Sequence, residues 1–238
     1  MKTQTALAFS ALAIAITGAP ATAATFSYHV TEFGNRSQAG SHKEISTTFD
    51  DDTDLFTWSS TFTQNPTTGA IAEGGWLVVN DGPMPRKSVF ENVIFYLDGS
   101  VNRVSAYAYD GDKAVKSWET STFLDSTELE VNDTADGDRT LSFDFDMSTI
   151  NSLQDTFGSA WEGTTFDEKI GVWFHGVDGL TTNYTNDGKL SQFEFKKKTS
   201  FDVAMKDAKK SVPEPATTAA LGMTMAAAAF TKLRKRSA

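Results

Sequence analysis

Apolar and polar residues alternate in short runs along most of the chain, and turn residues separate the runs. The clearest run is 54–63. Leu55, Thr57 and Ser59 fall on one face, and Phe56, Trp58, Ser60 and Phe62 on the other. A period of two sends successive side chains to opposite faces of a pleated strand, so a half-buried strand is predicted here. Thr140 to Met147 repeats the pattern, with Leu141, Phe143, Phe145 and Met147 inward and Ser142, Asp144 and Asp146 outward. Further strands are predicted at Phe26 to Thr31, Trp76 to Asn80, Val89 to Leu97, Val101 to Tyr109, Leu129 to Val131, Lys169 to His175 and Gln192 to Lys196. Turns are predicted at Asn65-Pro66-Thr67-Thr68-Gly69, Asp81-Gly82-Pro83, Asp98-Gly99, Asp110-Gly111-Asp112, Asp133 to Asp138 and Asn186-Asp187-Gly188. Gly there supplies positive φ, Pro presets φ, and Asn or Asp bonds its own backbone.

One helix is predicted from Ser148 or Thr149, whose hydroxyl can cap it. Ile150, Leu153 and Phe157 share its apolar face and Gly158 ends it. No fixed-period repeat is present. Many short strands with few helices predict a mostly β fold, an antiparallel jelly-roll-like β-sandwich over residues 24–198. Residues 199–211 turn Lys-, Asp- and Ala-rich and read as a linker. Phe201, Met205 and Ala208 fall at helical spacing within it.

Composition supports the strand reading. Of 238 residues, 39% are hydrophobic, enough for a core, and 18 are Phe, which suits pleated sheet surfaces. The chain has no Cys, which excludes thiolate metal sites and Cys nucleophiles. The formal charge is −10. Both ends are net basic, so the middle is more acidic than the whole. Such a surface repels nucleic acid and anionic lipid.

The two ends read as addresses. Lys2 is followed by an apolar stretch from Ala6 to Ile16, then Gly18 and Pro20, then Ala21-Thr22-Ala23. A basic start, a short apolar region and a small-x-small site describe a signal peptide cut after Ala23, with Ala21 and Ala23 as the recognised small residues. Its partners are then the Sec machinery and signal peptidase. At the other end come Pro213-Glu214-Pro215, an apolar stretch at 216–231, and a basic terminus with Arg234, Lys235 and Arg236. The apolar stretch spans about 24 Å as a helix. Basic residues beyond it should stay cytoplasmic, which leaves the preceding domain outside.

That ordered tail, residues 212–238, resembles the PEP-CTERM sorting signal. The resemblance implies a Gram-negative bacterial source and an exosortase-type membrane protease as partner. It also implies Pro213, Glu214 and Pro215 as recognition motif and Arg234, Lys235 and Arg236 as basic anchor. It associates such proteins with exopolysaccharide, and places the product transiently at the inner membrane, then at the cell surface or outside. More loosely, Gly74-Gly75-Trp76, Phe95-Tyr96-Leu97-Asp98-Gly99 and Ile170-Gly171-Val172-Trp173-Phe174-His175 resemble jelly-roll, concanavalin-like bacterial surface domains. A fold-level likeness implies no activity.

Candidate chemistry is sparse. Asp144 and Asp146 share the solvated face of one strand, about 6.5–7 Å apart, which fits a solvated pair better than a catalytic one. Asp50, Asp52 and Asp54 form a dense acidic turn able to offer oxygens to Ca²⁺, as does the Asp133 to Asp138 turn; neither has the EF-hand spacing. His29, His42 and His175 lack zinc spacing, and no Gly-x-Ser-x-Gly is present. The exposed aromatics best placed to stack on a sugar are Trp118 and Trp161. Three readings follow. The first is a non-enzymatic surface or matrix protein associated with glycan or exopolysaccharide. The others are a polysaccharide-acting hydrolase or lyase on the same scaffold, and a Ca²⁺-dependent adhesin.

Overall fold

A computed structural model describes residues 25–30, 38–50, 53–80, 92–109, 114–148, 169–198, 204–207 and 209–211. The signal peptide, the 212–238 tail, the body of the predicted helix after Ser148, and Asp52 and Trp161 lie outside them. The strands are β1 (Thr25–Val30), β2 (Ser41–Asp50), β3 (Leu55–Thr63), β4 (Gly74–Asn80), β5 (Asn92–Asp98), β6 (Arg103–Tyr109), β7 (Phe123–Glu128), β8 (Glu130–Asp133), β9 (Arg139–Asp146), β10 (Lys169–Asp178), β11 (Thr181–Tyr184), β12 (Leu190–Glu194), β13 (Lys197–Lys198), β14 (Ala204–Asp207) and β15 (Lys209–Ser211). A short 3₁₀ helix covers Ala114–Glu119.

All pairings are antiparallel. One sheet runs β15-β1-β2-β3-β9-β8, and a second runs β13-β10-β4-β5-β6-β7, with β14 also on β10. β11 and β12 form a separate hairpin. The alternation in β3 and β9 decides how the sheets meet. Phe56, Trp58, Phe62, Leu141, Phe143 and Phe145 point from the first sheet into one core with Leu77, Val79, Val93, Phe95, Leu97, Val104 and Phe174 of the second. Sheets facing across such a core make a mostly β, sandwich-like fold. Phe56 stacks on Phe95 at 5.7 Å, and Trp58 meets Phe174 at 4.8 Å. Each such ring contributes about 1.5–3 kcal/mol on full burial.

The second sheet is buried on its other face too. Trp76, Val78, Ile94, Tyr96 and Tyr107 pack there against Leu190 and Phe193 of β12 and Ala114 of the 3₁₀ helix. Burial on both faces explains the unbroken apolar runs Trp76–Val79 and Val93–Leu97, which alternation alone would not produce. Gly75 marks the closest approach of β4 to β10, where a Cβ would lie 2.1 Å from the His175 carbonyl oxygen.

The structure differs from the sequence expectation in several stretches. Ala114–Glu119, Phe123–Glu128 and Thr181–Tyr184, unassigned by pattern, form the 3₁₀ helix, β7 and β11. Ser41–Asp50, unassigned by pattern, is among the longest strands. A bulge at His42 to Glu44 breaks its period, and only Ile45 and Phe49 are large apolar inward residues. The expected linker at 199–211 contains β14 and β15, which complete the two sheets instead of separating from them. Backbone groups on the open edges of β10 and β1 take those partners, which outweighs the polar composition of the segment.

Candidate functional site

On β2, β3, β8 and β9, the face of the first sheet that points away from the core carries many small hydroxyls. Inward Phe56, Trp58, Ser60 and Phe62 force Thr57, Ser59 and Thr61 outward, and the same parity exposes alternate residues of β2, β8 and β9. Cross-strand register assembles these into ranks. Thr48, Thr57 and Asp144 form one, and Ser46, Ser59, Ser142 and Glu130 the next. Thr61, Thr140 and Asn132 form a third. Adjacent members sit about 4.8 Å apart and successive ranks about 6.8 Å. The Thr61 and Thr140 hydroxyls bond each other at 2.9 Å, and Ser142 Oγ donates to Glu130 Oε2 at 3.4 Å.

The face ends in a notch. β7 belongs to the second sheet and β8 to the first, so the chain crosses between sheets at buried Leu129. β8 pairs with β9 only from Ser142 to Arg139. Beyond Ser142 the flank of β9 faces a cavity of about 310 Å³ lined by Thr57, Thr127, Glu128, Glu130, Ser142, Phe143 and Asp144. Three acidic residues and three hydroxyl-bearing ones line it beside the Phe143 position of β9, and no basic residue lines the walls among the described residues. The notch therefore carries uncompensated negative potential beside hydroxyl acceptors and donors. Asp144 is exposed, as the alternation predicts.

The other sequence-nominated residues fall elsewhere. Asp146 is used locally: its Oδ1 accepts from Ser148 N at 2.9 Å and from Ser148 Oγ at 2.5 Å, and these bonds lower its pKa. Asp50 Oδ1 accepts from Thr53 N at 3.1 Å. Asp54 takes a left-handed φ of 52°, and its carbonyl accepts from Met147 N at 2.8 Å. The first contact lies within the β2–β3 turn, and the second ties Asp54 to the end of β9. In the second acidic turn, Arg139 holds Asp133 by two bonds of 2.6 and 2.9 Å, and Lys43 holds Asp138 at 2.5 Å. Those two carboxylates thus have cationic partners. Among the described residues no cluster of three or more His, Asp or Glu can hold a metal ion.

Trp118, expected as an exposed platform, is half-buried. It closes the 3₁₀ helix against the outer aromatic cluster, and its backbone N–H donates to Tyr96 Oη at 3.1 Å. The same Tyr96 hydroxyl donates to the Ala114 carbonyl, so one buried tyrosine pins both ends of that turn. His175 stacks on Trp76 at 4.8 Å, in keeping with a packed histidine.

Two buried polar groups escape pattern reasoning. His42 Nδ1 lies 3.3 Å from Ser60 Oγ, and Ser60 Oγ donates to the Glu44 carbonyl at 3.1 Å. The serine proton is therefore directed away from the imidazole, the wrong polarity for a base-activated nucleophile. Burial, with a smaller contribution from His175, lowers the His42 pKa to about 3. Asp98 is fully buried. It accepts from Ser100 N at 2.9 Å, Ser100 Oγ at 2.6 Å, Tyr184 Oη at 2.9 Å and Thr182 Oγ1. Those donors fill the carboxylate and make it a structural acceptor. The Asp98-Gly99-Ser100 turn is legible in sequence, but its role in anchoring the β11–β12 hairpin is not.

The chain matches no known protein family, and no curated protein or solved structure is detectably similar to it.

Proposed function

We propose that the chain is an exported bacterial surface or extracellular-matrix protein. In this reading signal peptidase removes residues 1–23 and an exosortase-type protease acts at the Pro213-Glu214-Pro215 tail. The sandwich, a jelly-roll-like variant, associates with glycan without cleaving it. The sequence features at both ends support the address. The observation that carries the glycan reading is the outer face of the six-stranded sheet, where ranks of Ser and Thr hydroxyls lead into the notch at Asp144. Ordered hydroxyls and carboxylates match the donors and acceptors of a sugar chain, and ranks repeated along the strands offer a polymer successive contacts.

The charge of the notch narrows the ligand. With Glu128, Glu130 and Asp144 unneutralised in its walls, uronate or sulfate polymers are repelled, and neutral or amino-sugar polymers are favoured. Titration calorimetry of the exported protein with the three polymer classes tests this. Binding to neutral or amino-sugar polymer should weaken about tenfold in Thr57→Val/Asp144→Ala, the loss of one or two hydrogen bonds. Preference for uronate polymer, or unchanged affinity in the variant, would refute it.

One observation favours the hydrolase or lyase reading: Glu128 and Asp144 line the same notch. Release of reducing ends from a bound polymer separates the two readings.

A further inference from the structure

Residues 204–211 tie the end of the folded unit into both sheets. β14 pairs with β10 from Lys169↔Asp207 to Val172↔Ala204, in the seven-stranded sheet. After the single residue Ala208, β15 pairs with β1 in the six-stranded sheet, with Thr25 opposite Ser211, Phe26 opposite Lys210 and Ser27 opposite Lys209. β1 is held on its other side by β2 along its length, from Thr25↔Asp50 to Val30↔Ile45, which makes β15 the outer strand. The register also sets the first residues of β1 beside the last residues of β15. Thr25 and Ser211, the first and last described residues, therefore lie opposite each other on neighbouring strands.

Two physical points give this arrangement a consequence. A three-residue edge strand is held by few hydrogen bonds, so it opens at a lower free energy than the sheet interior. An endoprotease, in turn, takes its substrate as an extended strand whose backbone bonds it makes itself. A backbone already paired in a sheet is not available to it until the strand opens, and cleavage then follows the open population. Only Val212 separates the last paired residue, Ser211, from Pro213.

We propose that β14 and β15 form a strand clasp that holds Thr25 and Ser211 side by side and shields the Lys209–Ser211 backbone from endoproteolysis until β15 unzips from β1. The bearing of the clasp on tail removal rests on the sorting function proposed above, whereas the clasp itself does not.

The test uses the full chain and a lysine-specific endoprotease that cuts Lys209–Lys210. In the native wild type this bond should be cut at least about tenfold more slowly than in the same chain unfolded in urea. Equal rates would overturn the clasp without any variant. Ser211→Pro removes a backbone donor from β15 and leaves the reporter bond intact. It should raise native cleavage about tenfold and speed hydrogen exchange at Thr25–Ser27, while exchange at Val93–Leu97 stays unchanged. Faster cleavage without faster exchange in β1 would overturn the pairing mechanism. If the Val93–Leu97 amides also lose protection, the variant has unfolded and the wild-type comparison decides. In the exporting cell, Ser211→Pro should lose its tail faster, and an unchanged rate would refute the gate. A tail retained by wild type and variant alike would refute the sorting reading, and the protease and exchange data would then decide the clasp.

Discussion

At the scale of single residues, the most consequential side chain is one that does no chemistry. His42 is 8% exposed and packs its ring against Phe62 at 4.6 Å and Phe174 at 5.5 Å. Protonation would place a charge among aromatic rings, which is why the folded pKa lies near 3 and below the unfolded value of about 6.5. The sign follows from proton counting. The unfolded state binds the proton first, so the contribution to stability is complete above about pH 6.5 and is lost as pH falls toward 3. Between those limits His42 should lower the unfolding free energy by up to about 1.4 kcal/mol per pH unit. Denaturant melts from pH 7 to pH 4 on wild type and His42→Gln check this. A variant with the same slope as wild type would show that another group is responsible. Asp133, Asp146 and Asp187, all lowered from 3.8, act in a more acidic window and so are separable.

At the scale of elements, the β11–β12 hairpin depends on hydrogen bonds that cross to the β5–β6 turn. Thr182 and Tyr184 donate to Asp98, Leu190 N donates to Tyr107 Oη at 2.7 Å, and Arg103 reaches the Gly188 carbonyl at 3.1 Å. Arg103 also lies 5.1 Å from the Tyr184 ring centroid. Burial pushes the Tyr107 hydroxyl up to about 12, so it remains a neutral hydroxyl, and an acceptor for Leu190, through physiological pH. Removing the carboxylate takes the acceptor from the half-buried Thr182 and Tyr184 hydroxyls, while exposed Ser100 can turn to water. Asp98→Ala should cost about 2–4 kcal/mol, and Asp98→Asn less, because the amide oxygen still accepts. Hydrogen exchange should rise first at Thr181–Glu194 and leave β9 protected. Uniform loss of protection would mean the hairpin is not a separate unit.

The expectation that 199–211 is a linker fails at this scale for a specific reason. Lys- and Asp-rich composition reports how a segment meets water, whereas strand addition is decided by whether a sheet edge has open backbone groups nearby. β2 escapes the pattern for a related reason. Ser41–Asp50 reads as a polar stretch, and its Ile45, Thr47 and Phe49 alternation starts only after the bulge. By contrast β3, β9 and the double-sided runs in β4 and β5 are legible, because their apolar residues are large and closely spaced.

For the molecule as a whole, the net charge of −10 dominates behaviour in solution. Acidic side chains repel across the sandwich, and screening relieves that repulsion within a Debye length of about 8–10 Å near 0.1 M salt. The melting temperature should therefore rise by a few degrees between 10 and 200 mM NaCl. CaCl₂ at matched ionic strength should give the same rise. An additional increment with Ca²⁺ would support the acidic turn at Asp50, Asp52 and Asp54 as a metal site.

The amino-acid sequence by itself determined the strand-rich class, the inward faces of β3 and β9, most turns, and the ordered motifs at the two ends. These are local properties, carried by side-chain period, turn chemistry and segment composition. Only the tertiary structure decided which strands share a sheet and which hydroxyls line up across strands. It also decided that Asp144 meets Glu128 and Glu130 at one notch, that Asp98 sits buried under β11, and that 204–211 closes both sheets. Those facts depend on register and on contacts between residues far apart in the chain. No local pattern encodes such pairings, because a strand's alternation says which way its side chains point and not which edge it joins.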